Sequence, residues 1–190
     1  IGNVDGENGF LKELVIKEDR TTPEFGGGLC QVGTTLFRAA LGSGLPIAER
    51  RSHSYRVVYY EPAGTDATIY NPSPDLKFTN NTGNYILIQT KIEGNKLAFE
   101  FWGKKDGRES SYTNSVIYNI TAPPPVRYIY TTELAIGEKK KVETAHKGAD
   151  AYFKYTIKYP DERGSIEKTF TSHYKPWAEV WLIGATSTPQ

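Results

Sequence analysis

Methionine is absent from the 190 residues, and cysteine occurs once, at Cys30. One cysteine cannot close an internal disulfide, so the cysteine count is silent on the redox compartment. With no methionine even at position 1, the chain reads as an excised or processed piece of something longer. No apolar run approaches the roughly 20 residues that span a bilayer, and no signal peptide is visible. Membrane attachment is therefore expected only through a missing N-terminal segment. An excess of one charge is also lacking: 23 basic and 22 acidic residues are interspersed and leave a net charge of +1. The longest basic block is Lys139-Lys140-Lys141, far short of a nucleic-acid footprint. Nor do His53, His146 and His173 have the i, i+4 or short-loop spacing of metal ligands. Neither a metal nor a cofactor is expected.

Tyrosine is abundant. Thirteen tyrosines and three tryptophans sit within a hydrophobic content of 38%, a mix that suits strands with one wet face. Residues 1–25 are polar with short apolar islands and read as an irregular lead-in with one strand. Val32, Leu36, Ala39 and Ala40 then recur at i, i+4, i+7 and i+8, the pattern of one buried helical face. Gly42-Ser43-Gly44 and Pro46 stop that helix. Beyond it, Tyr55 to Tyr60, Ala67 to Tyr70 and Tyr112 to Ile120 read as strands. Tyr85 to Ile92 and Leu97 to Trp102 read as a hairpin about Glu93-Gly94-Asn95. Ala122-Pro123-Pro124-Pro125 reads as a stiff linker, and the strand-rich remainder includes Tyr152 to Tyr159. The expected fold is α+β, one main helix packed on an antiparallel sheet, followed by a small all-β domain. The expected division is 1–121, with a motif-bearing core at 25–103, and 122–190.

Cys30 directly follows Gly26-Gly27-Gly28-Leu29. A glycine run opens backbone conformations closed to other residues. A helix starting there would place the sulfur in the positive field of its N-terminus, which favours thiolate over thiol. The competing reading is that Cys30 packs as a small hydrophobe.

Several motifs carry a family resemblance: Gly26-Gly27-Gly28-Leu29-Cys30-Gln31, Thr34-Thr35-Leu36, Arg50-Arg51-Ser52-His53-Ser54, Gly64-Thr65-Asp66-Ala67-Thr68 and Asp75-Leu76-Lys77-Phe78-Thr79-Asn80. In this order they resemble the VanW family of bacterial envelope proteins over residues 25–103, with Thr65 standing where the family more often carries arginine. Ile136-Gly137-Glu138, Gly148, Gly164, Ser172 to Trp177 and Ile183-Gly184 resemble the five-glycine domain often attached to such proteins. The resemblance implies an exported protein of the cell surface or cell wall, in a Gram-positive organism, with peptidoglycan or another wall polymer as its partner. It also links the chain to glycopeptide resistance, without fixing an activity.

The order Cys30, His53, Asp66 resembles that of transglutaminase-like and papain-like cysteine enzymes. In that reading Cys30 is the nucleophile, His53 takes its proton and Asp66 orients the imidazole. Asn71 is a rival for the third place. The Cys30 N–H, Gln31 and the glycines Gly27 and Gly28 are candidates to hold an oxyanion. Arg50, Arg51 and Arg56 flank His53 and read either as a solvated face or as cations that bind a substrate carboxylate, Arg51 being the named candidate. The expected function is cysteine-dependent acyl transfer or hydrolysis on peptidoglycan peptides. The alternative is a non-catalytic wall-binding or scaffolding module, in which Tyr174, Trp177 and Trp181 stack on sugars.

Overall fold

A computed structural model describes residues 1–17 and 20–186. The chain is mostly β, 42% strand against 10% helical, and among the described residues it has one α-helix and several small sheets. This corrects the expected fold: no helix-on-sheet domain is followed by a separate all-β one. The physical reason lies in the core. Phe37, Ala40 and Leu41 of helix α1 (Leu29–Gly42) share one buried cluster with Phe153, Tyr155, Ile157 and Phe170 from the C-terminal third. Phe37 meets the Phe170 ring edge-on at 5.5 Å, and Phe153 stacks on Phe170 at 5.1 Å. Neither region keeps its apolar surface from water without the other.

The long strand β11 (Gly148–Lys158) organises this core. Ala149, Ala151, Phe153, Tyr155 and Ile157 are all buried, the period-two face of a strand covered on one side. On one edge β11 pairs antiparallel with β12 (Ser165–Tyr174) over its length, from Ala149↔Tyr174 to Lys158↔Ser165. Its other edge is shared by β7 (Glu109–Tyr112) at Tyr155 to Lys158 and β8 (Val116–Thr121) at Gly148 to Tyr152. Strands before and after the proline stretch therefore belong to one sheet.

The smaller sheets surround it. Within residues 1–25, expected to carry one strand, two strands, β1 (Lys12–Lys17) and β2 (Arg20–Phe25), pair antiparallel. The strands β5 (Ile86–Glu93) and β6 (Lys96–Gly103) form the expected hairpin about Gly94-Asn95. The strands β9 (Arg127–Thr131), β10 (Lys139–Glu143) and β13 (Val180–Gly184) make a three-stranded sheet with β13 central. The short strands β3 (Ile47–Glu49) and β4 (Lys77–Phe78) pair antiparallel.

Two expected strands are not strands. Tyr55 to Tyr60 is loop ending in a 3-10 turn at Val58–Tyr60, and Ala67 to Tyr70 joins no sheet. The helix also turns a different face inward: Gly33, Thr34, Phe37, Ala40 and Leu41 are buried, whereas Val32 is 40% exposed. Phe37 is the largest apolar side chain of the helix, and its burial sets the rotation.

Candidate active site

Helix α1 is stitched to the extended segment 65–69 at a regular interval. Arg38 donates from Nε to the Thr65 carbonyl at 3.1 Å and from Nη2 to Thr65 Oγ1 at 2.8 Å. Thr34 Oγ1 accepts the Ala67 N–H at 3.0 Å and donates to the Ala67 carbonyl at 3.3 Å. Cys30 Sγ donates to the Ile69 carbonyl at 3.7 Å. Helix positions four apart rise about 6 Å, and extended positions two apart advance about 6.6 Å, so the two series stay in step. Gly33 lets the segment come this close: a Cβ there would lie 2.5 Å from Ile69 Cγ1. The hydrogen bonds that would have built a strand at 67–70 go partly to the helix instead.

The alternation sends Asp66 to the other side of the segment, toward residues 50–53. Asp66 Oδ2 accepts the His53 backbone N–H at 2.7 Å and lies 2.6 Å from His53 Nδ1. Asp66 Oδ1 accepts Arg50 Nη2 at 3.0 Å and the Tyr174 hydroxyl at 2.7 Å. With Nδ1 held by the carboxylate, Nε2 is the ring nitrogen left for the sulfur, and the Cys30 and His53 side chains lie within hydrogen-bonding reach. Tyr60 stacks on the imidazole with centroids 4.7 Å apart, a π face placed against a ring that can carry charge.

Burial alone would push all three groups toward their neutral forms. For Cys30 that effect is outweighed by the hydrogen bond and charge of His53, so the thiol is held below its ordinary value. For His53, burial is outweighed by hydrogen bonds and charges from Asp66 and Cys30, which raise it to about 9. Asp66 is brought down to about 2 against the effect of burial, by the His53 hydrogen bond and the Arg50 charge. The three shifts point the same way, toward thiolate, imidazolium and carboxylate.

Among the expected site residues, Cys30, His53 and Asp66 are brought together, and Asp66 rather than Asn71 takes the imidazole. Asn71 follows Tyr70, just beyond the Ile69 carbonyl that accepts from Cys30. Gly28, with φ 84°, stands at the N-cap of α1 without a side-chain cap, and the first turn has no acidic residue. Leu29 N–H goes to the Gly26 carbonyl and Val32 N–H to that of Gly28. The Cys30 and Gln31 N–H groups between them have no backbone acceptor among the described residues. Gly27 packs against Glu13, where no Cβ would fit. Arg51 is exposed, and its carbonyl accepts from Thr68 N–H.

Other cations near His53 are already engaged. Arg50 also donates to the Gly64 carbonyl at 2.8 Å and to Ser172 Oγ at 2.9 Å, and Arg56 pairs with Glu61 at 2.6 Å. Tyr174 and Trp177 are 2% and 5% exposed, so neither ring offers a face to a sugar, and Trp181 donates from Nε1 to Glu179. His146 stacks on Tyr55 at 4.6 Å, and His173 lies 2.6 Å from Asp150. Among the described residues, no group of three or more potential ligands could hold a metal.

The sequence reading missed Arg38, Thr34, Tyr60, Ser172 and Tyr174. The spacing Cys30, Thr34, Arg38 was a usable signal for the first two, since it marks one face of the helix. Nothing local in the chain pointed from Asp66 to Tyr174.

A mostly-β chain carrying a sulfur, an imidazole and a carboxylate in contact at a helix start has the chemical make-up of a cysteine–histidine site. By sequence the chain belongs to the family described as VanW like protein, which matches residues 1–102. It is similar to the protein YoaR of Bacillus subtilis, 37% identical over 97 residues, covering 51% of this chain and 32% of that protein. It is also similar to the Vancomycin B-type resistance protein VanW of Enterococcus faecalis, 27% identical over 110 residues, covering 55% and 40%. The chain thus spans less than half the length of these relatives. The family match ends before the tail, so it does not bear on the tail's five-glycine character.

Proposed function

We propose that this chain is a cysteine-dependent acyl transferase or hydrolase of the bacterial envelope acting on peptidoglycan peptides. The observation that carries this reading is the His53 ring, held between the Asp66 carboxylate and the Cys30 sulfur. The Cys30 thiolate attacks an acyl carbon and forms a C–S bond. As the C–N or C–O bond to the leaving group breaks, the His53 imidazolium gives that group its proton. A water or an amine then gives its proton to His53 and attacks the thioester, and the C–S bond breaks to restore the thiolate. The Cys30 and Gln31 N–H groups supply donors for the oxyanion of both tetrahedral intermediates. Arg51, exposed and two residues from His53 in the chain, is the proposed partner of a substrate carboxylate.

Similarity to a protein named for vancomycin resistance is the support for choosing a wall peptide. The tail's resemblance to the five-glycine domain adds weight to a surface location. The test is the alkylation rate of Cys30 against pH in the wild type and in His53→Ala. The expected result is an inflection well below the free-thiol value of about 8.5 that moves upward in the variant, followed by turnover of peptidoglycan fragments. An inert thiol, or one titrating normally in both proteins, overturns the enzyme reading in favour of a binding or scaffolding module.

A further inference from the structure

We infer that Tyr174, at the end of strand β12, is a positioning residue for the Asp66–His53–Cys30 cluster, so that the working site extends beyond the family-matched segment into the tail. This rests on the reading of Cys30 as a nucleophile. A carboxylate offers about four lone-pair sites, and in Asp66 all four are taken. His53 fills the two on Oδ2 with its backbone N–H and Nδ1, while Arg50 Nη2 and the Tyr174 hydroxyl fill the two on Oδ1. With both oxygens held, the carboxylate cannot rotate, and its Oδ2 edge stays turned on the imidazole.

Tyr174 is itself fixed. Its hydroxyl accepts the Gly64 N–H at 2.7 Å, so one phenol grips positions 64 and 66 of the same segment. The ring is buried with Ala63 and Ala151, and the strand brings it there through the last pair of the β11–β12 ladder, Ala149↔Tyr174. Its neighbours act on the same loops. Ser172 Oγ and the Thr171 carbonyl accept from Arg50 Nη1 at 2.9 and 3.3 Å, and Lys175 N–H donates to the Ser54 carbonyl at 2.7 Å. A phenylalanine would fill this space equally well, so the hydroxyl is the part that packing does not explain.

The titratable and charged groups facing Asp66 are Arg50 and His53 from the 50–53 segment, Tyr174 from β12 and Cys30 from α1, with Tyr60 against His53. Removing one donor from a buried carboxylate raises its pKa. The test is Tyr174→Phe in the full chain, with the Asp66 carboxyl carbon titrated by NMR and Cys30 alkylation measured on the same samples. The expected result is an Asp66 midpoint raised by about one unit, a tenfold change in its proton affinity. A midpoint that stays within a few tenths of the wild type overturns the role of Tyr174, whatever the thiol does. An ordinary thiol inflection in the wild type overturns the nucleophile reading, whatever Asp66 does. Should Tyr174→Phe fail to fold, the wild-type hydroxyl proton carries the test. It is expected as a slowly exchanging resonance close to the Gly64 amide, and a hydroxyl in fast exchange with water overturns the assignment.

Discussion

Two carboxylates near helix α1 are held at about 2, reached by different physics. Past the C-terminal end, Asp106 accepts from Arg108 at 2.9 and 3.0 Å, with Arg163 3.7 Å away. Arg108 also donates to the Gly44 carbonyl at 2.8 Å, a cation where the helix leaves its negative end. The Arg108 hydrogen bond is the main cause of that low value. Asp66 is buried, and its hydrogen bond with His53 and the charge of Arg50 must first overcome burial. Arginine is always charged, so the Asp106 cluster can hold a loop but cannot pass a proton. The Asp66 cluster contains a partner that titrates, and that partner touches a sulfur.

The comparison breaks most sharply on stability. Asp66→Ala leaves Arg50, whose side chain is 2% exposed, without its counter-charge, and is expected to cost about 3–5 kcal/mol. Asp106→Ala is expected to cost about 1 kcal/mol, and urea unfolding of both variants measures the difference. Gly33→Ala presses a methyl onto Ile69 and is expected to cost about 1–3 kcal/mol, with slower Cys30 alkylation because the helix is pushed off its partner. Asp66→Asn is expected to slow alkylation at pH 6 by about tenfold, a one-unit rise in the thiol inflection, while Asp106→Asn leaves the profile unchanged. Equal profiles in the two asparagine variants would remove the distinction between the clusters.

A further difference is the acid slope of stability. Asp66 titrates at about 2 in the fold, below the ordinary carboxylate value of 3.8. Its contribution is therefore complete above the ordinary value and is lost as the pH falls from about 4 to about 2. Thermal unfolding over that range should show a shallower slope in Asp66→Asn than in the wild type.

The three central residues were legible because their chemistry is local: a glycine-cradled cysteine, a histidine among cations, and an acid after a turn. The choice between Asp66 and Asn71 was not, since it depends on which side of an extended segment faces the histidine. Arg50, read with its neighbours as a cation for substrate, is spent on the carboxylate because Asp66 needs a buried counter-charge. The strand readings at 55–60 and 67–70 failed because β-branched and aromatic content reports half-buried extended chain, while a sheet also needs backbone partners. At 67–69 those partners include Thr34 and Arg51. The fold class failed for a longer-range reason. Local periodicity could not show that Phe37 closes against Phe153 and Phe170, more than a hundred residues away.

The pairing of Cys30, Thr34 and Arg38 with Ile69, Ala67 and Thr65 works as a vernier. Two scales with nearly equal divisions lie side by side, and the sulfur is read off at one end. An exposed side chain along either scale can change and leave the reading intact, whereas Gly33 and Asp66 cannot. One residue added or removed within 30–38 would turn the thiol by about 100° around the helix axis, and one within 65–69 would send the acid to the wrong side of the segment. Beyond the few residues that make these contacts, length is what the two stretches cannot vary.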